Sequence, residues 1–350
     1  MTELTRRRLS RDGLDRPPYL AATMRDDEMT DRICVLGAGA IGGHIAAKLG
    51  AAGVDVSIVA RPATVEAVRR DGLKLRSQGV EIVAPVAASD DPFALPVQDL
   101  VITTAKAHAL PAAAAALAHL TGGKAPVVYV ANGLPWWYRY RGKGANDGAS
   151  LARLDPDGSL WRGVGPEGAI GGVIYSSNTV TAPGEVTHLG TDHRLILGEP
   201  DDSLSPRLAA VVTRLAPAGA EATDKIRTEV WRKLLVNLAN SPIGALTRLG
   251  GDQIAADARL RPIYLGLYRE GLAVAAAQGI HLPDDSEARF ERMSRTSHRS
   301  SMLQDMEAGR PLETDAQLSA VQDLAREAGV PTPTLDILLP LLLAAAAGRQ

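Results

Sequence analysis

The sequence predicts an α/β protein in which an N-terminal Rossmann-type dinucleotide-binding domain is followed by an all-helical C-terminal domain. An apolar run at residues 33–36 leads directly into a glycine-rich turn. Further short apolar runs, at 100–104 and 127–130, predict buried strands, whereas the residues after 224 show helical periodicity with little strand signal. With 350 residues and 45% hydrophobic composition, the chain is long enough for two domains with a cleft between them.

The glycine-rich turn is the strongest of these signals. In a dinucleotide-binding turn Gly37 would allow a tight exit from the strand, Gly39 the approach of a pyrophosphate, and Gly42 close packing of the next helix. A chain rich in Gly and Ala also produces this spacing in ordinary tight turns. Helical spacing after the turn and a second apolar strand at 54–59 complete a βαβ unit, which favours nucleotide binding. The predicted cofactor-binding residues of this turn are Gly37, Ala38, Gly39, Ala40, Ile41 and Gly42.

The residue after the second strand indicates which dinucleotide binds. NAD-specific proteins usually place an acid there for the ribose 2′-hydroxyl, but this chain has Arg61. Asp55 begins the strand and cannot reach the ribose. An arginine at this position favours the 2′-phosphate of NADP, with a solvated loop arginine as the alternative.

Two polar residues follow buried strands farther along the chain. Lys106 comes just after the strand at 100–104, and Asn132 comes after the strand at 127–130. Both would lie at the carboxyl edge of the sheet, where ligands of such folds bind, although Lys106 also fits a surface position. Trp136 and Trp137 then follow, either as a wall of the cofactor cleft or, more commonly, as packing under the next loop.

The remaining signals set the domain boundaries. Residues 139–165 are rich in Gly, Arg and Asp, and the turn signal at 155–158 predicts an excursion from the sheet with extended arms. Strand signals at 170–175 and 184–189 and a helix at 203–216 complete the first domain. We predict a disordered leader over 1–30, which a start codon assigned too far upstream would also explain, an NADP-binding domain over 31–223, and a helical substrate and dimerisation domain over 224–350.

The first helix of the second domain carries two stripes. Asp224 is a candidate N-cap, Pro242 is expected to end the helix, and an apolar stripe with the spacing i, i+3, i+4 and i+7 faces the core. A second stripe with helical spacing consists of Lys233, Asn237, Asn240 and Ser241. Uncharged polar residues favour a pocket wall over a solvated face, although the last of them also resemble a helix stop.

Later residues extend this domain. His298, Ser301 and Asp305 are predicted to share one helix face, Glu313 to open the next helix, and residues 335–347 to form a buried closing helix that is too short to span a membrane.

Composition excludes several classes of function. A formal net charge of −2 with interspersed charges does not favour a nucleic-acid partner. No secretory signal or membrane span is visible, and the single cysteine, Cys34, fits a small core residue in a reducing cytoplasm. The histidines lack ligand spacing, so no metal is predicted.

These residues together resemble the ketopantoate reductase (2-dehydropantoate 2-reductase) family from about Arg32 to the last helix. The resemblance rests on the turn at 37–42, Lys106 in Thr-Ala-Lys-Ala, Asn132-Gly133, Trp231-Arg-Lys-Leu-Leu-Val-Asn237, and Ser300-Ser-Met-Leu-Gln-Asp305 followed by Glu313 and Asp315. The chain departs from the pattern at Ser241, Gly251 and His298, where the family often has Asn. These departures leave the natural 2-oxo acid open, because lost amides change which substrate groups the pocket can satisfy.

The resemblance implies a function for each of these positions. It implies NADPH as hydride donor, Lys233 as general acid, and Asn132, Asn237, Ser301 and Glu313 around substrate and nicotinamide, with Ser241 beside them. The expected reaction is reduction of a 2-oxo acid, with 2-dehydropantoate to pantoate, a step of pantothenate biosynthesis, as the leading case. A homodimer is a candidate assembly that the sequence leaves open. A paralogue acting on another 2-oxo acid, a dehydrogenase of a different alcohol, and a non-enzymatic NADP-binding sensor are the alternatives.

Overall fold

The computed structural model describes residues 32–142 and 148–348, and in them one mixed sheet is followed by a set of packed helices. The sheet consists of β1 (Ile33–Leu36), β2 (Val56–Val59), β3 (Leu73–Ser77), β4 (Val80–Ala84), β5 (Ala87–Ser89), β6 (Leu100–Thr103), β7 (Val127–Val130), β8 (Ala169–Ala182), β9 (Glu185–Gly198) and β10 (Ala220–Ala222). The predicted leader over 1–30 lies outside the described residues.

The helices lie between these strands and, after β10, follow one another. They are α1 (Ala40–Ala51), α2 (Pro62–Asp71), α3 (Ala114–Thr121), α4 (Ser159–Gly163), α5 (Pro206–Arg214), α6 (Ile226–Thr247), α7 (Gly251–Ala256), α8 (Arg261–Ala277), α9 (Ser286–Met293), α10 (Ser301–Glu307), a π-helical segment (Asp315–Ser319), α11 (Ala320–Ala328) and α12 (Pro333–Ala347). The predicted α/β class, with helices alone after the sheet in the described part of the chain, is confirmed. No helix of the described ranges is long and apolar enough to cross a membrane.

The strand order brings the predicted site loops to one edge. It runs β4-β3-β9-β8-β7-β6-β1-β2-β5, and β1 pairs in parallel with both β2 and β6. β6, β7 and β8 continue in parallel. Because parallel strands end at the same edge, the turn after β1 and the loops after β6 and β7 meet there, at the point where the chain order reverses.

The core divides into two clusters, one on each face of the sheet. Along β1, Cys34 and Leu36 belong to one cluster and Ile33 and Val35 to the other, as the alternation of a strand requires. The cluster that contains Cys34 continues without interruption into α6 and the other late helices. Cys34 is fully buried, which raises the pKa of its thiol to about 11 and confirms it as a core residue.

Helix α6 differs from the prediction at both ends. It begins after Lys225 and not Asp224, because the carboxylate of Asp202 accepts from the backbone N–H of Ile226 at 3.0 Å and satisfies one of the free amides. Pro242 does not end the helix, which continues to Thr247. Pro242 removes one backbone donor, but it is buried together with the residues that follow, and this packing outweighs the local defect.

Three other local predictions are corrected. His298 does not share a helix face with Ser301, because the hydroxyl of Ser300 accepts from Leu303 N at 3.2 Å and starts α10 after His298. The excursion has no extended arms within residues 148–165, which fold as turns and α4. The closing helix α12 buries only one face.

The aromatic residues before the excursion are core residues. Trp136 and Trp137 are 2% and 1% exposed, which favours the packing role over the cleft wall. Trp136 lies edge-on to Trp161 of α4, with ring centroids 6.2 Å apart. The carboxylate of Asp155 caps α4 by accepting from Leu160 N and Trp161 N, so the excursion is held down by side chains of its own.

Candidate active site

The turn after β1 requires glycine at two of its positions. Gly37 has φ +101°, and a Cβ on Gly42 would lie 2.0 Å from the carbonyl oxygen of Gly37. A Cβ on Gly39 would meet nothing within 4 Å, so backbone there faces open space. The first turn of α1 has no acidic residue, which leaves its N-terminal amides suited to a phosphate.

Arg61 stands at the end of β2, as predicted. It is the N-cap residue of α2, its side chain is exposed, and no hydrogen bond or ion pair engages that side chain within the described ranges. Contact with a 2′-phosphate is compatible with this position and stays a prediction.

Lys106 joins the sheet edge to the helical part of the chain. Its Nζ donates to Asp305 Oδ2 on α10 at 2.6 Å, and Asp305 Oδ1 also accepts from Arg310 Nε at 2.8 Å. Asp305 is 6% exposed, so this carboxylate is held between two cations. Lys106 is therefore neither a free surface lysine nor, in this arrangement, free for the cofactor.

The carboxylate of Glu313 accepts hydrogen bonds from backbone and side-chain donors in both halves of the chain. Its Oε1 accepts from Ala107 N after β6 at 3.3 Å, and its Oε2 accepts from Asn132 Nδ2 after β7 at 3.2 Å. A third donor, Gln317 Nε2, lies 3.5 Å from Oε2. Glu313 is 7% exposed and precedes the π-helical segment instead of opening an α-helix.

Lys233 projects from α6 toward β8. Its Nζ donates to the carbonyl oxygen of Ile174 at 2.7 Å and lies 6.0 Å from the centre of the Tyr175 ring. Burial lowers the pKa of Lys233 to about 8, and the negative charge of Glu313 partly opposes that shift. We name Lys233, Glu313, Asn132 and Gln317 the site cluster.

The polar stripe of α6 lies within the protein and not on a solvated face. Asn237 is half-buried, Ser241 is 3% exposed, and Asn240 Oδ1 is buried without a hydrogen-bond partner in the described structure. Ser301, the first residue of α10, is exposed. The stripe thus supports the interpretation as a pocket wall, whereas the substrate contact of each side chain stays a prediction.

Sequence reasoning missed two members of this arrangement. Asp305 was predicted only as part of a helix face and of a motif, without a partner, and its pairing with Lys106 spans 199 residues. Gln317 was not considered, although its i, i+4 spacing from Glu313 is a signal for contact between neighbouring turns.

His44 on α1 lies together with two histidines of β9 that are far from it in the sequence. His44 on α1 stacks on His193 with ring centroids 4.2 Å apart, and His188 lies edge-on to His44 at 5.0 Å. Oδ1 of Asn178 is 2.8 Å from His44 Nδ1. Burial, with help from the neighbouring His193, His188 and Lys48, lowers the pKa of His44 to about 3. No metal-binding group of three or more His, Cys, Asp or Glu residues exists in the described residues. We name His44, His188 and His193 the histidine cluster.

Comparison with known proteins covers both halves of the chain. The family model described as "Ketopantoate reductase PanE/ApbA" matches residues 33–202, and its C-terminal counterpart matches residues 225–346. The 2-dehydropantoate 2-reductase of Mesorhizobium japonicum is 41% identical over 315 residues, which cover 89% of this chain and 96% of the relative.

Solved structures agree with these matches. A Ralstonia solanacearum protein whose crystal structure is named for a ketopantoate reductase superposes with a TM-score of 0.86 at 36% identity, over 92% of this chain and 99% of that one. D-mandelate dehydrogenase shares the fold, with a TM-score of 0.76 over 91% of this chain and 99% of that one, at only 20% identity. The fold therefore accommodates more than one substrate, and the side chains of the site must decide between them.

Proposed function

This chain belongs to the ketopantoate reductase family, and we infer from that premise that it reduces 2-dehydropantoate to pantoate with NADPH. The observation that carries this proposal is the site cluster, in which a half-buried lysine with a lowered pKa lies within the electrostatic influence of a buried carboxylate at the carboxyl edge of the sheet. A sensor with a decayed pocket would not need this pair. The reaction consumes NADPH, one proton and the 2-oxo acid and yields NADP⁺ and the 2-hydroxy acid.

The described residues fit the cofactor. The turn at 37–42, including Ala38, Ala40 and Ile41, offers a backbone surface free of side-chain obstruction at Gly39 and the amides of α1 for the pyrophosphate. Arg61 is free to hold the 2′-phosphate, and Lys106 and Asn132 follow β6 and β7 at the same edge of the sheet. When bound, NADPH supplies the hydride for the carbonyl carbon.

Lys233 supplies the proton. An ammonium group has three donors, and one of them is used by the carbonyl of Ile174. The remaining donors can bind the substrate carbonyl oxygen, stabilise the charge that develops on it and transfer the proton. A pKa of about 8 keeps Lys233 protonated at neutral pH while making it a stronger acid than an exposed lysine.

Glu313 acts on Lys233 and on the loops of the cleft. Its negative charge opposes the effect of burial on the pKa of Lys233, which favours the role of charge partner for this residue. Its bonds to Ala107 and Asn132 fix the loops after β6 and β7. Asn237, Ser241 and Ser301 are assigned to the substrate, whose carboxylate and hydroxyl need neutral donors and acceptors.

We extend this proposal to the roles of the two parts of the chain and to the oligomeric state. Residues 31–223 hold the cofactor and residues 224–350 hold the substrate, in a cytoplasmic enzyme. A homodimer is proposed through the outer face of α12, where Ile337 and Leu341 are 65% and 54% exposed. Size-exclusion chromatography with light scattering of the wild type and of Ile337→Glu decides the oligomeric state.

A substrate panel tests the function. We expect NADPH oxidation with 2-dehydropantoate, and a lower kcat/KM with 2-oxo acids of similar size that lack its hydroxyl. Preference for a 2-oxo acid without the hydroxyl would instead establish the paralogue. Binding of NADPH without turnover of any substrate in the panel would establish the sensor.

A further inference from the structure

Gln317 is a buried amide next to the proposed catalytic pair. It is 1% exposed and lies in the π-helical segment, where the wider winding is often found at functional sites. Its Nε2 points to Glu313 Oε2 at 3.5 Å, and its Oε1 is buried with no hydrogen-bond partner among the described residues. A buried, unpaired amide oxygen is costly, so packing alone does not explain a glutamine here.

The carboxylate of Glu313 has its other donors on the sheet side. Ala107 N and Asn132 Nδ2 approach it from the loops after β6 and β7. Gln317 is the donor that approaches from the helical side in the described structure, four residues along the same segment. The carboxylate is thus held between the two halves of the chain.

The π-helical segment itself is fixed against the loop that bears Asn132. Leu134 N donates to the carbonyl of Ala316 at 2.8 Å. A Cβ on Gly133, which has φ +88°, would lie 2.4 Å from the same carbonyl oxygen. The backbone of the segment that carries Gln317 is therefore fixed through its neighbour Ala316.

We propose that Gln317 is a positioning residue of the reductase site, which holds the carboxylate of Glu313 where its charge keeps Lys233 protonated. This inference rests on the proposed function for its effect on turnover. Without the amide, Glu313 keeps two donors on the sheet side and turns toward them, away from the lysine.

The other titratable groups nearby do not substitute for Gln317. Tyr175 lies on the β8 side of Lys233, and burial raises the pKa of its phenol, so it carries no charge at neutral pH. Lys106, beside Ala107, is paired with Asp305, which also pairs with Arg310. Glu313 is the charged group that acts on Lys233.

The test is the pH dependence of kcat for Gln317→Leu. A general acid must be protonated, so wild-type kcat is expected to fall as pH rises through about 8. We call this fall of kcat at alkaline pH the basic limb of the profile. In Gln317→Leu the basic limb should move to lower pH by on the order of half a unit to one unit, because the negative charge of Glu313 then compensates less for the burial of Lys233. At pH 7.5 kcat should fall roughly 1.5-fold to threefold, because the protonated fraction of Lys233 falls by that factor, with KM for NADPH within about twofold of the wild type.

Gln322→Leu is the matched control. Gln322 on α11 is also buried, and its Nε2 donates to Asp336 Oδ1 at 2.5 Å, away from the site cluster. Gln322→Leu should lower the melting temperature and leave the basic limb in place. Gln317→Met replaces Gln317→Leu if the branched side chain prevents folding.

Two results separate this inference from the proposed function. Wild-type turnover with an unmoved basic limb in Gln317→Leu would overturn the inference alone. If the wild type turns over no 2-oxo acid, the proposed function fails. In that case the pKa of Lys233 is compared between the wild type and Gln317→Leu. It is measured by NMR of the ¹³C-methylated proteins, and Lys233→Arg assigns the signal of Lys233. An unchanged pKa in Gln317→Leu would again overturn the inference.

Discussion

The site cluster and the histidine cluster both remove titratable side chains from water, but they do so with opposite consequences. In the site cluster the buried ammonium of Lys233 faces the negative charge of Glu313, and its pKa falls only to about 8. In the histidine cluster His44 faces two further imidazoles and Lys48, and its pKa falls to about 3. One cluster keeps a proton available near neutral pH, and the other excludes it.

The difference shows that a perturbed pKa does not by itself identify a functional site. His44 has the larger shift, yet its Nδ1 is occupied by Asn178 and its rings are stacked into the packing of α1 against the β8–β9 hairpin. Lys233 has a smaller shift, with spare donors beyond its bond to Ile174 on β8, and it lies within the electrostatic influence of Glu313, which bonds to the loops after β6 and β7. Position at the ligand edge is the stronger criterion, because His44 Nε2 is also buried without a hydrogen-bond partner among the described residues.

The largest effect is expected for Lys233→Ala. Loss of a general acid that also stabilises developing charge should lower kcat at least about a hundredfold, while KM for NADPH changes little. Steady-state kinetics with the best 2-oxo acid provide the measurement. Lys74→Ala, which removes a lysine paired with Glu185 at the sheet edge, is the matched control and should retain turnover. Near-native kcat in Lys233→Ala would move the active site elsewhere.

A smaller effect is expected for the histidine cluster, on stability instead of rate. Because the pKa of His44 is lower in the folded state than its ordinary value of 6.5, protons bind the unfolded chain preferentially. Its contribution to stability is therefore fully present above about pH 6.5 and is lost as pH falls toward about 3. Acidification from pH 7.5 to 5.0 should therefore lower the free energy of unfolding by on the order of 2 kcal/mol through this residue alone.

The comparison variant for that prediction is His44→Gln, which keeps a side-chain amide for Asn178 but cannot titrate. Urea unfolding at the two pH values should show a smaller loss of stability on acidification than in the wild type, with kcat at pH 7.5 unchanged. An equal loss in both proteins would assign the acid sensitivity to other groups.

The smallest effect is expected for Arg61→Ala, because this side chain is exposed and its interactions are screened. We expect NADPH to bind roughly fivefold to tenfold more weakly, and NADH to be unaffected. Fluorescence titration of both cofactors measures this. Arg69→Ala removes another arginine of α2, which binds the carbonyl of Ala88, and should not discriminate between the cofactors. Equal weakening of both cofactors by Arg61→Ala would exclude contact with the 2′-phosphate.

The elements predicted well are those whose determinants lie within one turn or strand. The glycine spacing at 37–42 encodes a conformation and a close helix approach that other residues cannot adopt. The periodicity around Lys233 encodes a helix with one apolar and one polar stripe. Both were readable from the sequence because each is a local constraint.

The elements predicted poorly depend on residues distant in the sequence. Asp202 caps α6 in place of Asp224, and burial of Pro242 and its neighbours continues the same helix beyond the expected stop. Histidines at 44, 188 and 193 appeared scattered and form one stacked group. Local propensity could not reveal either outcome, because each is decided by packing between elements.

The sequence by itself determined the fold class, the cofactor turn and the identity of Lys233 and Glu313 as partners in one family pattern. Only the tertiary structure decided the environment of these two residues. Burial lowers the pKa of Lys233, the charge of Glu313 limits that change, and donors 181 to 206 residues away, Asn132 and Ala107, hold the carboxylate in place. Desolvation and the interaction between two charges depend on distances in the folded protein, and those distances cannot be read from the amino-acid sequence.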